Sequence, residues 1–150
     1  MKKNALLTIG AGGLIAGTID IGQALILFGW RVPVGISAAL IGKTAERAGP
    51  FALVYILGLV LNYSIATAWT AAYYLARRKL TFMTEHPVVC GLLYGMVVEC
   101  CMSYVVLPLS ALHAVGPYEL KDVLLGLGVH MITIGLPIAL TVRYFGTETR

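Results

Sequence analysis

Three ionisable side chains sit deep in apolar sequence: Asp20 in "GTIDIGQALIL", Glu99 in "GMVVECCMSYVV" and His130 in "GLGVHMITIGLPIAL". Gln23 and Asn62 are uncharged polar residues in similar surroundings. An imidazole beside carboxyl groups is the usual equipment for proton transfer, because histidine changes charge near a pH of about 6.5. A charge in hydrocarbon costs at least about 2.5–3.5 kcal/mol, so such groups pair or line a water-filled path. Two readings follow. In one, Asp20 and Glu99 are the acids and His130 the titrating switch of a proton or ion relay, with Gln23 and Asn62 as polar neighbours. In the other, this intramembrane polar cluster only forms hydrogen bonds between helices, worth about 0.6–2 kcal/mol each.

Other chemistry finds little support. Only His130 is deep, while His86 and His113 fall in connecting segments, which argues against haem. A di-iron bundle needs several Glu and a Glu-x-x-His pair, and that motif is absent. "GKTAERAG" at 42–49 imitates part of a phosphate loop but lacks the earlier glycine and the preceding strand. Cys90, Cys100 and Cys101 show no C-x-x-C spacing and read as small apolar fillers. The expectation is a non-enzymatic chain with no catalytic residues, no metal and no cofactor.

The elements that position these residues follow from composition. Of 150 residues 59% are hydrophobic and only 12% charged, half the charge of an ordinary soluble domain. A helix needs roughly 20 apolar residues to cross a bilayer, and four runs qualify: about 5–29, 51–76, 87–109 and 121–145. Helices are expected because they alone satisfy their own backbone hydrogen bonds in lipid. The first run follows a Lys pair, as a secretory signal does, but continues to Gly29 and reads as an uncleaved span. The expected fold is therefore an all-α membrane protein, one domain of four transmembrane helices.

Lys2, Lys3, Arg77, Arg78, Lys79, Arg143 and Arg150 fall on one side of such a bundle; Arg31, Lys43, Arg47 and Lys121 fall on the other, diluted by Glu46, Glu119 and Asp122. That asymmetry favours both termini in the cytoplasm. It also accounts for the basic pI of about 9.1, with no basic stripe suited to nucleic acid. The connection 31–50 is long for a bundle. It reads as a short interfacial or re-entrant helix, with Lys43 and Arg47 one turn apart as a possible headgroup or partner contact.

The chain also repeats itself. "GLIAG" at 13–17 returns as "GLLYG" at 91–95, "GPFAL" at 49–53 as "GPYEL" at 116–120, and "LGLVLN" at 57–62 as "LGLGVH" at 125–130. The expectation is a duplicated two-helix unit, about 10–76 and 88–145, in which Asn62 and His130 are equivalent. At about 100° per residue, Gly10, Gly13, Gly17, Asp20 and Ala24 share a face. So do Gly58, Asn62, Ile65, Trp69 and Tyr73 in the second run, and Gly91, Gly95 and Glu99 in the third. In the fourth run the face is Gly126, His130, Thr133, Pro137 and Thr141. Small residues at such spacing let membrane helices approach closely, which makes Gly13, Gly17, Gly58, Gly91, Gly95 and Gly126 the packing positions.

The motifs "GLIAG", "GLLYG" with "VLPLSAL", the Gly-Pro start of the last helix and "HMITIGLPIAL" resemble the YagU-like family, small bacterial inner-membrane proteins of unknown function. The resemblance implies the four-span fold and the inner membrane, and brings no activity with it. Relatives of that kind often carry a His where Asn62 stands here, so a symmetric two-histidine site is not expected. The leading expectation is a structural or accessory component of the inner membrane, in contact with the lipid bilayer and forming a homo-oligomer or part of a larger complex. The alternative is a small proton-linked transporter or channel.

Overall fold

Apolar runs of this length leave the backbone no partner in hydrocarbon except itself, and helices result. The computed structural model describes residues 3–146 apart from positions 48 and 117. Its helices are α1 (Lys3–Phe28), α2 (Val32–Ile41), α3 (Phe51–Arg77), α4 (Phe82–Glu85), α5 (Pro87–Cys101), α6 (Leu107–Leu109), α7 (Leu120–His130) and α8 (Leu136–Gly146). No strand occurs among the described residues. Four helical stretches are long and apolar enough to cross a membrane: Ala5–Phe28, Phe51–Arg77, Pro87–Leu109 and Leu120–Gly146. Each boundary lies within one residue of the expected one. Lys2, Pro117 and Arg150, on which the charge count and the second Gly-Pro start draw, lie outside the described residues, as do the side chains of Lys3 and Glu46.

The third and fourth spans are not continuous α-helices, as the 100° reading assumed. Met102–Val106 and Met131–Gly135 each form a π turn, closed by Leu107 N–H donating to the Met102 carbonyl and Leu136 N–H to the Met131 carbonyl. Each turn stops two residues before a proline, Pro108 or Pro137. Proline lacks an N–H and its ring crowds the carbonyl four residues back, here Tyr104 and Thr133. Widening the turn moves that carbonyl aside. The expected stripe in the fourth span is therefore broken. Past the turn the buried residues are Ile138, Ala139, Thr141 and Val142, and Pro137 is only half-buried.

α1 packs along α3 and α8, α5 packs along the fourth span, and α2 lies on α3. The glycines set the close approaches. A Cβ on Gly13 would strike Thr67, and one on Gly17 would meet the Tyr63 ring at 2.8 Å. One on Gly91 would meet the Gly135 carbonyl at 2.9 Å, and one on Gly95 would strike Met131. Gly58 serves differently from expectation: its neighbour is the Pro33 carbonyl of α2, not another span. Gly10, expected on the contact face, has nothing within 4 Å.

One end of the bundle is a dry core of Ala16, Tyr73, Met83, Cys90, Val98, Ile134, Ile138, Ala139 and Val142. Tyr73 and Tyr94 meet edge-on with centroids 4.9 Å apart, and Tyr94 Oη donates to the Trp69 carbonyl at 2.7 Å. Arg77 closes this end. Its guanidinium donates to the carbonyls of Val142 at 2.8 Å and Gly146 at 2.9 Å, capping α8 with a positive charge at its negative pole. Arg77→Ala is expected to destabilise the protein by about 1–2 kcal/mol, with Arg77→Lys recovering only part because one ammonium cannot hold both carbonyls in the same fork. Thermal unfolding in detergent measures both.

The 31–50 connection resolves into α2, with Pro33 in its first turn and its end set by Gly42 at φ 84°, the left-handed conformation glycine favours. Pro33, Val34, Ser37 and Ala38 are its buried face. Lys43 and Arg47 are exposed, but Lys43 stands in a turn and Arg47 in the 3₁₀ turn Ala45–Arg47, so they do not share a helical face as expected.

Candidate functional site

Above the dry core the spans part around a cavity of about 440 Å³, within the size range of small-molecule sites. Asp20, Gln23, Asn62, Glu99 and His130 all line it, with Gly126 beside them. α1, α3, α5 and α7 thus each contribute a polar side chain to one chamber. Its remaining wall is apolar and aromatic, including Trp69, Ile65, Met102 and Phe28. Asp122, exposed near the start of α7, stands at its mouth.

The strongest contact joins the third and fourth spans. His130 Nδ1 lies 2.9 Å from Glu99 Oε2 and 3.1 Å from the Gly126 carbonyl. Two acceptors facing one nitrogen require that Nδ1 carry the hydrogen. Nε2 then has no protein partner among the described residues, so it is the nitrogen open to exchange a proton. Ser103 Oγ, one turn beyond Glu99, donates to its other oxygen at 2.7 Å. Gly126 makes room for the pair, since a Cβ there would fall 2.6 Å from Glu99 Oε1.

Asp20 approaches the same wall from α1. The Thr133 hydroxyl stands 3.2 Å from Asp20 Oδ1 and 3.0 Å from the Val129 carbonyl, so its single hydrogen has two acceptors to choose between. Among the described residues no Lys or Arg lines the chamber: three carboxyl groups line it with one imidazole. Asn62 takes a structural post, donating to the Gly17 carbonyl at 3.0 Å from a buried position. Gln23 Nε2 is buried and finds no hydrogen-bond partner, an arrangement that costs about 1–3 kcal/mol when nothing fills it.

Both π turns begin beside this chamber, one just after Glu99 and carrying Ser103, the other directly after His130 and carrying Thr133. Trp69 lines the chamber from the face it was expected to share with Asn62, and Ser103 and Asp122 join the lining without having been expected there. Ser103 was findable as the residue four places after Glu99. Asp122 carried no such sign, being one of several charges near a span end. α7, the wall bearing His130, has no buried residue and packs chiefly on α5. Among the described residues, no cluster of His, Cys, Asp and Glu is arranged to hold a metal ion. Cys90 is buried, Cys100 exposed and Cys101 half-buried, all as free thiols. Compared with models of known families, with curated proteins and with solved structures, the chain matches none.

Proposed function

We propose that the chain is a small proton-linked membrane transporter or channel of the bacterial inner membrane, with Glu99, His130 and Asp20 as its acid–base set. The observation that carries this reading over a purely structural or accessory role is the chamber itself. A cluster that only locked helices together would fill the space between them and satisfy Gln23; here the ionisable groups face a void and that amide is unpartnered. In the proposed cycle His130 takes up a proton at Nε2 and passes its Nδ1 proton to the Glu99 carboxylate, leaving a neutral imidazole and a carboxylic acid, and the reverse transfers release the proton.

The test is proton flux into proteoliposomes after an acid pulse, read by an internal pH dye. Wild-type protein is expected to carry a pH-dependent flux that Glu99→Gln and His130→Gln both abolish while their thermal unfolding stays near normal. No flux from wild type, or flux indifferent to both substitutions, would overturn the proposal and return the cluster to a structural role.

The duplicated hairpin belongs to the same proposal and is supported by matched contacts. Gly13 lies on Thr67 as Gly91 lies on Gly135, and Gly17 on Tyr63 as Gly95 on Met131; all four residue pairs correspond in the register of the sequence repeat. Kinship with the YagU-like proteins and a cytoplasmic position for both termini complete it. Cysteine labelling at Arg78→Cys checks the orientation: reaction with an impermeant reagent from the periplasm would reverse it. A copy-to-copy or larger assembly is expected from the span surfaces left outward, among them Leu14, Val60 and Leu93. Native mass spectrometry from membranes reads its size. Lys43 and Arg47, both exposed, are the proposed headgroup contacts.

A further inference from the structure

We infer that the chamber binds a protonated organic amine with an apolar body. The inference rests on the chamber being a ligand site, as proposed above, and adds the class of ligand.

Charge sets the first requirement. The lining holds Asp20, Glu99 and Asp122 against His130, with no Lys or Arg among the described residues. With His130 paired to Glu99, Asp20 is left without a cationic partner among the described residues, and uncompensated charge in a membrane interior is expensive. Protons can supply the balance, and so can a cationic guest; the two then compete for the same carboxyl oxygens. Competition of that kind is how a proton gradient is linked to the occupancy of a site.

The wall sets the second requirement. Its lining is mainly apolar, with Ile65, Met102, Leu107, Leu125 and Ile134 and the Trp69 side chain among its residues. A bare metal ion or a highly hydrated solute gains nothing from such a surface, whereas an alkyl or aryl body does, and an ammonium gains further from the indole face. The volume, about 440 Å³, admits a small organic molecule and excludes a lipid with two chains. Gln23 lines the chamber as well, while its Nε2 is buried without a hydrogen-bond partner among the described residues.

The geometry also orders the contacts. Asp122 at the mouth is exposed and meets the cation first. Asp20, whose hydrogen bond among the described residues comes from the Thr133 hydroxyl, offers a carboxylate oxygen deeper in. Glu99 is already committed to His130 and Ser103, so its engagement with the guest requires that the imidazole let go.

The experiment uses the full chain in lipid nanodiscs, with Trp30→Phe leaving Trp69 as the single tryptophan reporter. The probes are 2-phenylethylammonium, which keeps its charge below a pH of about 10, and propylbenzene, its neutral counterpart of the same shape. The ammonium is expected to bind tighter than propylbenzene by about tenfold or more, to release protons on binding, and to lose that preference in Asp20→Asn combined with Glu99→Gln. Asp122→Asn, an exposed and isosteric change in the first turn of α7, is expected to weaken ammonium binding by about threefold while leaving propylbenzene unchanged. Equal binding of the two probes overturns the inference and keeps the chamber as a ligand site. Binding of neither, with acid-pulse flux intact, overturns the inference alone; binding of neither without flux removes both. Ammonium selectivity without proton release supports the ligand class and overturns the proton linkage.

Discussion

Gly135→Ala is expected to destabilise the protein by about 3 kcal/mol or more. Gly135 sits where the third and fourth spans cross backbone to backbone. A Cβ there would strike the Gly91 carbonyl and lie 2.7 Å from the Gly95 nitrogen and 2.9 Å from its Cα. None of these atoms is the free end of a side chain, so relief requires one whole helix to shift, and the His130–Glu99 contact lies one turn away along the same crossing. Gly128→Ala is the matched control. Gly128 is also helical, has nothing within 4 Å of the added carbon, and is expected to be neutral or to gain up to about 1 kcal/mol from helix propensity. Detergent-titrated unfolding of the two variants beside wild type reads the difference; similar stabilities for both would mean that the crossing is looser than its backbone contacts indicate.

Glu99→Ala is expected to cost about 2 kcal/mol, less than the 3–5 kcal/mol of a fully buried pair, because the side chains of His130 and Glu99 keep 24% and 13% of their exposure. The substitution removes both acceptors at once, that of His130 Nδ1–H and that of the Ser103 hydroxyl. Glu99→Gln separates stability from chemistry. Its carbonyl oxygen still accepts one of these hydrogen bonds, so most of the stability should return, while the exchangeable proton is gone. Unfolding and flux measured on the same preparations should therefore part company: Glu99→Ala low in both, Glu99→Gln near wild type in stability and without flux. If Glu99→Gln is as unstable as Glu99→Ala, the carboxylate's charge rather than its hydrogen bonds holds the third and fourth spans together.

The span ends were legible because bilayer thickness leaves a helix few lengths to choose from, and Gly29, Pro50 and Pro87 mark the stops. That Asp20, Gln23, Asn62, Glu99 and His130 share one chamber was approachable too, since polar residues in apolar helices face inward for reasons of energy alone. What periodicity concealed was the phase. A single 100° count carried through residues 126–141 put Pro137 on the face of His130, and the π turn between them breaks that count. The Leu-Pro pairs at 107–108 and 136–137 were the available sign. Lys43 and Arg47 were misplaced for a similar reason: Gly42 ends the helix before either of them. The fork of Arg77 onto Val142 and Gly146 depends on which helix ends meet in space, and no local pattern encodes that.

α7 carries His130 and yet buries nothing, while α8, joined to it through the π turn, carries Ile138 and Val142 at the centre of the dry core. One membrane helix is thereby divided between two kinds of selection. Substitutions at Asp122, Leu125 and Val129 of α7 alter the size, charge and polarity of the chamber with little penalty to folding, whereas those in the buried positions of α8 are tightly constrained. A lineage that needed to change its ligand would find permissive positions already gathered on one wall of the chamber, at Asp122, Leu125 and Val129, with the rest of the molecule left as it was.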